Sequence, residues 1–301
     1  MNRWRNLIDR PGAIVADGAM GTMLQQAGLN PGDPPMLWNV DHPDRVRKVH
    51  LAYMEAGARI LLTNTFNGTR FRLSKHGLEG REDELNRAGA RILRAEIDDF
   101  LKKAAPGTPA PVVAGDIGPT GEILAPLGKL YPADAADAFT RQAAALIDGG
   151  ADVIWIETMA DMSEVQAAIE GTRRASPDIP IIVTMTFDTH GRTMMGVKPE
   201  AAATSLSEWG AAAMGGNCGN GPDEMLAAIQ KMHTAVPGAL LVAKSNAGMP
   251  EFVDGKTVYR ASPEMMAQSA VQMREAGARI IGGCCGTTPE HIAAMASAVK
   301  T

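Results

Sequence analysis

Cysteine and long apolar runs are both scarce in this sequence, and each scarcity excludes a class of protein. Only 3 of the 301 residues are cysteine, an odd and small number that cannot build a disulfide framework. No apolar stretch reaches membrane-spanning length without charges, and the first residues lack the apolar core of a secretory signal. We therefore expect a reduced, cytoplasmic protein whose cysteines are either buried or chemically active.

The sequence also lacks an excess of charge of either sign. Its 34 acidic and 29 basic residues give a formal net charge of −5, so we expect binding neither to nucleic acid nor to a membrane surface. A hydrophobic content of 45% with 21% charged residues is typical of a globular protein. The length suffices for a sizeable core, and we expect a single domain over residues 1–301.

One short junction recurs along the chain. The hexapeptide EAGARI occupies residues 55–60 and again 275–280, and related segments are DGGADVI at 148–154 and EWGAAAM at 208–214. Each has the pattern of a helix end, a glycine suited to a left-handed cap, and the start of a strand. Repetition of this junction indicates an alternating β/α fold.

Eight short segments have the composition of buried strands. They are continuous apolar runs rather than alternating ones, as expected of parallel strands covered on both faces. The segments are 13–18, 59–66, 111–118, 152–159, 180–187, 212–218, 240–248 and 279–285. Helical patterns lie between them, including 43–57, 82–104 and 262–277. These β/α units predict a single α/β (β/α)₈ TIM barrel, with an open doubly wound sheet as the alternative.

All three cysteines lie at the ends of two predicted strands. Cys218 ends the sixth, and Cys284 and Cys285 end the eighth. In a closed barrel one strand separates these two, and their C-terminal ends face the same mouth, where active sites of this fold lie. Flanking glycines permit tight left-handed turns, so the thiols can converge. Three thiolates around Zn²⁺ leave the fourth tetrahedral position open, the arrangement of a catalytic zinc site.

The residues alone leave other interpretations open. Cysteines are commonly small buried hydrophobic residues. An adjacent pair also suits a redox-sensing thiol cluster. A third alternative is a zinc-stabilised barrel that serves only in binding or assembly.

Seven motifs in chain order together resemble one family. They are DGAMGTMLQ (17–25), NTFNGT (64–69), GDIGPTG (115–121), IET (156–158), GGNCG (215–219), NAGMP (246–250) and GGCCGTTPEHI (282–292). From residue 13 to the C-terminal helix the chain resembles the zinc-dependent homocysteine S-methyltransferases. That family includes the homocysteine module of cobalamin-dependent methionine synthase and the betaine–homocysteine enzyme. The resemblance implies a (β/α)₈ barrel that methylates the sulfur of homocysteine, a step of methionine biosynthesis.

The resemblance also implies site residues. Cys218, Cys284 and Cys285 are the expected zinc ligands, acting in catalysis through the metal together with Glu157. The thiolate is the nucleophilic form of homocysteine, and metal binding favours loss of the thiol proton. Asn246 is expected to occupy the fourth zinc position before substrate arrives; the alternative for it is a turn-forming asparagine.

The amino-acid end of homocysteine needs anchors of both charges. By the same resemblance, Asp17 and Glu157 are expected to clamp its ammonium group. The backbone N–H groups of Gly18 and Ala19 and the hydroxyl of Thr65 suit its carboxylate. Asp116, in contrast, is expected to shape the loop beside the site.

The methyl donor is less defined. Betaine is a quaternary ammonium, which proteins hold in an aromatic cage, and aromatic residues make up only 4% of this chain. The betaine enzyme has an aromatic pair after Phe66 and a tyrosine after Glu157, whereas this chain has Asn67, Gly68 and Thr158. We therefore expect methylcobalamin carried by a separate corrinoid protein, with betaine or a sulfonium compound as the alternative.

Two features of the sequence bear on the donor. The basic loop at 67–77 could contact a corrinoid protein, or it is simply a solvated surface. Trp38 could supply one wall of a betaine cage, although packing is the more common role of such a residue.

Overall fold

Eight parallel strands form the centre of the molecule. The computed structural model describes residues 3–253 and 256–300. The barrel strands are β1 (Ile14–Val15), β2 (Ile60–Leu62), β3 (Val112–Ile117), β4 (Val153–Met159), β5 (Ile181–Met185), β6 (Ala213–Cys218), β7 (Leu241–Ser245) and β10 (Ala278–Gly283). Each lies within or at the boundary of a predicted segment. The hydrogen-bonded order is β1-β10-β7-β6-β5-β4-β3-β2. A parallel bridge between Ala16 and Ile60 joins β1 to β2 and closes the barrel.

Helices connect the strands. They are α1 (Arg3–Ile8), α2 (Met20–Gln26), α3 (Trp38–Asp41), α4 (Pro43–Glu55), α5 (Arg70–Leu73), α6 (Glu82–Lys103), α7 (Pro132–Asp148), α8 (Met162–Ala175), α9 (Pro199–Glu208), α10 (Pro222–Ala235), α11 (Pro263–Glu275) and α12 (Pro289–Ala298). The helical patterns at 43–57, 82–104 and 262–277 correspond to α4, α6 and α11. No helix in the described ranges is long and apolar enough to span a membrane.

The sequence patterns did not indicate a small hairpin between β7 and α11. Its strands, β8 (Glu251–Val253) and β9 (Lys256–Val258), pair antiparallel outside the barrel. The side chains of β8 are exposed, so β8 does not belong to a run of buried positions.

The repeated glycines cap helices as predicted. Gly57, Gly150, Gly210 and Gly277 have φ angles of 106°, 103°, 73° and 104°. Because side chains disfavour this left-handed region, glycine ends each helix and turns the chain into the next strand. The repeated junction therefore returns α4, α7, α9 and α11 to the barrel.

The barrel strands are apolar on both faces, which explains their continuous apolar runs. Val113 and Ile154 pack outward against the helices. Their neighbours in sequence Ala114 and Trp155 pack inside the barrel, with Trp4 of α1 in the same cluster. Alternate residues of a strand face the same side, so the inward positions further along β3 and β4 should line the barrel mouth.

Those further inward positions are charged rather than apolar. Asp116 follows Ala114 by two residues on β3, and Glu157 follows Trp155 by two on β4. Lys244 follows the inward Val242 by two on β7. The interior of the barrel thus changes from apolar to charged at its C-terminal end.

Candidate active site

A cavity of about 420 Å³ opens at the C-terminal end of the barrel. Its walls are built mainly from residues at the ends of β3, β4 and β6 and just beyond β1, β2 and β10. Of the nine residues expected in the site, eight line this cavity: Asp17, Gly18, Ala19, Thr65, Glu157, Cys218, Cys284 and Cys285. The ninth, Asn246, is bonded to the backbone of Cys285. The fold therefore brings together residues that are scattered over most of the chain.

The three thiols converge. The Sγ of Cys218 lies 2.8 Å from that of Cys284 and 3.9 Å from that of Cys285. All three sulfur atoms lie within 4.8 Å of one another, and all three residues are free cysteines. Three sulfur donors on two neighbouring loops fit a zinc ion with one open position, by both the kind and the number of ligands.

Hydrogen bonding distributes the charge among these thiols. Hydrogen bonding with Cys218 and Cys284 lowers the pKa of Cys285 to about 3. Hydrogen bonding with Cys284 and then with Cys285, together with burial, raises the pKa of Cys218 well above its ordinary value. The lowered pKa favours the thiolate form of Cys285, which is the form in which cysteine binds a metal.

The local backbone turns the thiols into the cavity. Cys218 itself has a φ of 59°, and the following Gly219 has 79°. Gly286, after the cysteine pair, has 78°. The glycines before the cysteines have a different role, because a Cβ on Gly215 would meet the backbone of Val242 at 1.8 Å. The left-handed turns expected from the flanking glycines therefore fall on the cysteine at 218 and on the glycines that follow.

Asn246 fastens the two cysteine loops to each other. Its amide nitrogen donates to the carbonyl of Gly219 at 2.6 Å, and its amide oxygen accepts from the N–H of Cys285 at 3.0 Å. Both ends of this side chain are engaged, so in this structure Asn246 orients the loops that carry the thiols. Its occupation of the fourth zinc position stays a prediction.

Asn217 holds the end of β4 in place, a role that the sequence reasoning missed. Its amide oxygen accepts from the N–H of Thr158 at 2.8 Å, and its nitrogen donates to the Thr158 hydroxyl at 2.7 Å. The same nitrogen lies 3.4 Å from Oε2 of Glu157 and 3.8 Å from Sγ of Cys284. Thr158 has a φ of 62°, a strained value for a β-branched residue. Asn217 therefore contacts both Glu157 and the sulfur of Cys284.

A buried ion pair lies beneath the cavity. The ammonium of Lys244 donates to Oδ1 of Asp17 at 2.8 Å, and the N–H of Leu62 donates to Oδ2 at 2.8 Å. Burial opposes the charge of Lys244, but the carboxylates of Asp17 and Glu157 outweigh it and raise the pKa of Lys244 above its ordinary value. Sequence reasoning also missed Lys244; the signal was a lysine inside an otherwise apolar strand.

Glu157 has fewer partners than Asp17. In the described part of the chain, the only hydrogen bond of its carboxyl group is the long contact from the amide nitrogen of Asn217. Burial raises the pKa of Glu157 to about 8. A cationic ligand beside this carboxyl would favour its ionised form.

The groups expected to bind a carboxylate are partly engaged. The N–H of Ala19 donates to the hydroxyl of Thr287 at 3.1 Å. A Cβ on Gly18 would lie 2.7 Å from the same hydroxyl, so only glycine fits there. The hydroxyl of Thr65 donates to the carbonyl of Asp116 at 2.8 Å. The binding of a substrate carboxylate by these residues stays a prediction.

Two further features noted in the sequence make contacts within the protein, although residues 74–77 of the basic loop are exposed. In the basic loop, Arg72 donates to the carbonyl of Pro119, and Lys75 lies 3.9 Å from Glu122. Trp38 is buried beneath Arg45, and Phe66 is the aromatic residue among those that line the cavity. The described part of the cavity wall therefore contains no aromatic cage.

Comparison with known proteins identifies the family of this chain. A family model described as homocysteine S-methyltransferase matches residues 14–299. The methionine synthases of Mycobacterium tuberculosis and Mycobacterium leprae are 35% and 34% identical over 301 residues, covering 95% of this chain. The chain spans 24% of the length of these relatives. The metallated form of the homocysteine methyltransferase MmuM from Escherichia coli superposes with a TM-score of 0.78 at 29% identity, over 98% of this chain and 99% of that one.

The barrel and its thiol-lined mouth define the class, and the match over nearly the whole chain defines the family. The chain belongs to the homocysteine S-methyltransferase family. This confirms the family, and the MmuM superposition confirms the (β/α)₈ barrel, that the sequence motifs predicted.

Proposed function

We propose that this protein transfers a methyl group to the sulfur of homocysteine and holds Zn²⁺ through Cys218, Cys284 and Cys285. The observation that carries the proposal is the convergence of the three cysteine sulfurs on one cavity that also contains buried carboxyl groups. A metallated form of the related MmuM protein supports a metal in this site. Zinc, when bound, supplies the electrostatic stabilisation that keeps a thiol deprotonated near neutral pH.

The residues of the chain position the substrate. Glu157 pairs with the ammonium group of homocysteine, and the nearby Asp17, held by Lys244, adds negative charge. The N–H of Gly18, with Ala19 and Thr65 beside it, faces the carboxylate. In the reaction the sulfur lone pair forms the new S–CH₃ bond, and the donor leaves with the electron pair of its broken bond. The thiol proton passes to solvent.

The surface around the cavity supports a donor that is carried by a protein. Ten large hydrophobic side chains are exposed in the described ranges, and each lies in a connection that follows a barrel strand or in the first turn of the next helix: Val40, Ile123, Leu127, Tyr131, Met194, Met195, Met249, Phe252, Val253 and Met265. They share the end of the barrel that carries the site. Apolar surface rimmed by polar residues is typical of a protein interface. We assign this apolar rim to a methylcorrinoid protein that presents methylcobalamin to the cavity.

A small sulfonium donor is the second candidate. It is favoured by the similarity to MmuM, which this chain matches over 99% of its length. A single barrel of that size has direct access to a small donor. Betaine is less suited, because Phe66 is the one aromatic residue among the described residues lining the cavity.

The experiment is methionine formation by zinc-loaded protein from homocysteine, with methylcobalamin, a methyl sulfonium and betaine as separate donors. We expect about one zinc ion per chain after purification under reducing conditions. Replacing Cys284 with serine should abolish both zinc retention and turnover, whereas a serine at the exposed Ala105 on the opposite end of the barrel should change neither. A wild-type protein that retains no zinc and binds no homocysteine would contradict the proposal.

A further inference from the structure

Asp116 lies on the inner face of the barrel, directly above the apolar interior. Along β3 the inward residues Val112 and Ala114 belong to the interior cluster, and Asp116 is the next inward position. It lines the same cavity as Glu157, yet only 5% of its surface is exposed. The side chain is thus nine-tenths buried and faces the proposed substrate site.

The main chain of Asp116 is fully bonded. Its N–H donates to the hydroxyl of Thr63 at 2.9 Å, and its carbonyl accepts from the hydroxyl of Thr65 at 2.8 Å. The two hydroxyls lie 2.6 Å apart, which completes a closed ring. This ring fixes the position of Asp116 without using its carboxyl group.

The carboxyl group of Asp116, in contrast, is not fully hydrogen-bonded among the described residues. Its Oδ1 is buried and has no hydrogen-bond partner among the described residues. Leaving a buried polar atom unpaired carries a substantial cost in free energy. A rigidly held, unpaired acceptor on a cavity wall is therefore suited to a donor group of a ligand.

The charges around the cavity indicate which group of a ligand would donate a hydrogen bond to Oδ1 of Asp116. Three buried carboxyl groups line it, on Asp17, Asp116 and Glu157. Among the described lining residues the one lysine or arginine is Lys244, and its ammonium is bonded to Asp17. Burial, with the charge of Glu157 next in size, raises the pKa of Asp116 well above its ordinary value. A second cation near Asp116 and Glu157 would relieve this crowding of acidic groups.

We propose that Asp116 is a substrate-binding residue whose Oδ1 accepts a hydrogen bond from the α-ammonium group of the thiol substrate, beside Glu157. This inference rests on the proposed homocysteine function and deepens it. It makes Asp116 a determinant of selectivity for thiols that carry an α-amino group. A thiol without that group leaves a buried acceptor unpaired, which is how sites built around a hydrogen bond reject analogues.

The test compares two thiols that differ only in the ammonium group. Dissociation constants of L-homocysteine and γ-mercaptobutyrate are measured on the zinc-loaded protein by calorimetry. We expect Asp116→Asn, which keeps the shape of the side chain but replaces a charged acceptor with a neutral amide, to reduce the preference for homocysteine about 10- to 100-fold. The affinity for γ-mercaptobutyrate should not fall. The matched control is Asp188→Asn, because Asp188 also follows a barrel strand but is exposed.

Thermal unfolding without substrate separates binding from structure. Asp116→Asn removes a crowded acidic group, so the substrate-free variant should be as stable as wild type or more stable. If the variant keeps the wild-type preference for homocysteine, the role of Asp116 is overturned while the proposed function stands. If wild type itself binds homocysteine no better than γ-mercaptobutyrate, or binds neither, the recognition of homocysteine falls and this inference falls with it.

Discussion

At the scale of single residues, the arrangement of the thiols depends on side chains other than the cysteines. Asn217 and Asn246 each use both ends of an amide, and each ties a cysteine loop to another segment. Residues that orient metal ligands affect metal affinity and activity nearly as much as the ligands do. Their contribution can be measured separately from that of the thiols.

The first prediction concerns the strain at Thr158. Asn217→Ala removes both hydrogen bonds that hold this residue at a φ of 62°. It should therefore cost about 1–3 kcal/mol of folding free energy. In a Thr158→Gly background the same change should cost less, because glycine adopts this conformation without strain and lacks the hydroxyl that Asn217 bonds. Denaturant unfolding of the wild type, the two single variants and the double variant gives the coupling free energy between Asn217 and Thr158.

A control is available on the same loop. Asn220 bonds to Glu224 and to the carbonyl of Asp188 and has no bond to Thr158. Asn220→Ala should show no coupling to Thr158→Gly. Equal coupling of both asparagines to Thr158 would contradict the conclusion that Asn217 holds the end of β4 in place.

The second prediction concerns the buried ion pair. Lys244→Met leaves the carboxylate of Asp17 without its charged partner in a site that is 1% exposed. Breaking such a pair costs about 3–5 kcal/mol, whereas removing both charges is far less costly. Lys244→Met with Asp17→Asn should therefore be more stable than Lys244→Met alone, as judged by urea unfolding. Additive losses in the double variant would show that the pair is not coupled.

At the scale of elements, the strands were predictable and the charged contacts were not. A buried parallel strand has a continuous apolar run, and four of the helices are followed by a left-handed glycine such as Gly57, so local sequence contains the information. Lys244 and Asp17 lie 227 positions apart, and Asn217 reaches Thr158 across 59. Such contacts form only when the barrel closes, and no spacing of residues along the chain predicts them. The cysteines were found because their residue type is rare here and carries its own chemistry.

The helix α4 carries the third prediction, through His50. This side chain is fully buried, and neither ring nitrogen has a partner among the described residues. Burial lowers the pKa of His50 from 6.5 to about 3. Between these values the unfolded chain binds a proton that the folded protein excludes, so stability is complete above pH 6.5 and is lost as the pH falls.

Replacing His50 with leucine removes this proton-linked term. The loss of folding free energy between pH 7 and pH 5 should shrink by about 2 kcal/mol relative to wild type. Urea unfolding at both pH values measures the difference. The exposed His76 provides the control, since His76→Gln should leave the acid sensitivity unchanged. An unchanged pH dependence in His50→Leu would show that His50 becomes protonated within the folded protein.

At the scale of the whole molecule, the apolar rim and the cavity share one end of the barrel. The proposed docking surface and the proposed substrate site therefore lie side by side but use different residues. Phe252 is 80% exposed and Leu127 is 76% exposed, on connections that follow β7 and β3. The two side chains therefore belong to different parts of the rim.

The fourth prediction tests the rim. Phe252→Asp combined with Leu127→Asp should lower turnover with a methylcorrinoid protein about tenfold or more, because charged groups replace apolar contact surface. Turnover with free methylcobalamin should be unchanged, since neither residue lines the cavity. Ala105→Asp, on the connection from α6 to β3 at the opposite end, is the control. A loss of activity with both donor forms would assign these residues to the cavity rather than to docking.

Because Cys218 lies on β6 and the other two cysteines follow β10, cutting the chain between these strands would separate them. A cut in the exposed segment after β7 would leave Cys218 on one fragment and Cys284 with Cys285 on the other. Neither fragment alone would then contain all three of the proposed zinc ligands. With zinc held as proposed, the association of the two fragments would depend on the concentration of free zinc, and the cut barrel would report that concentration.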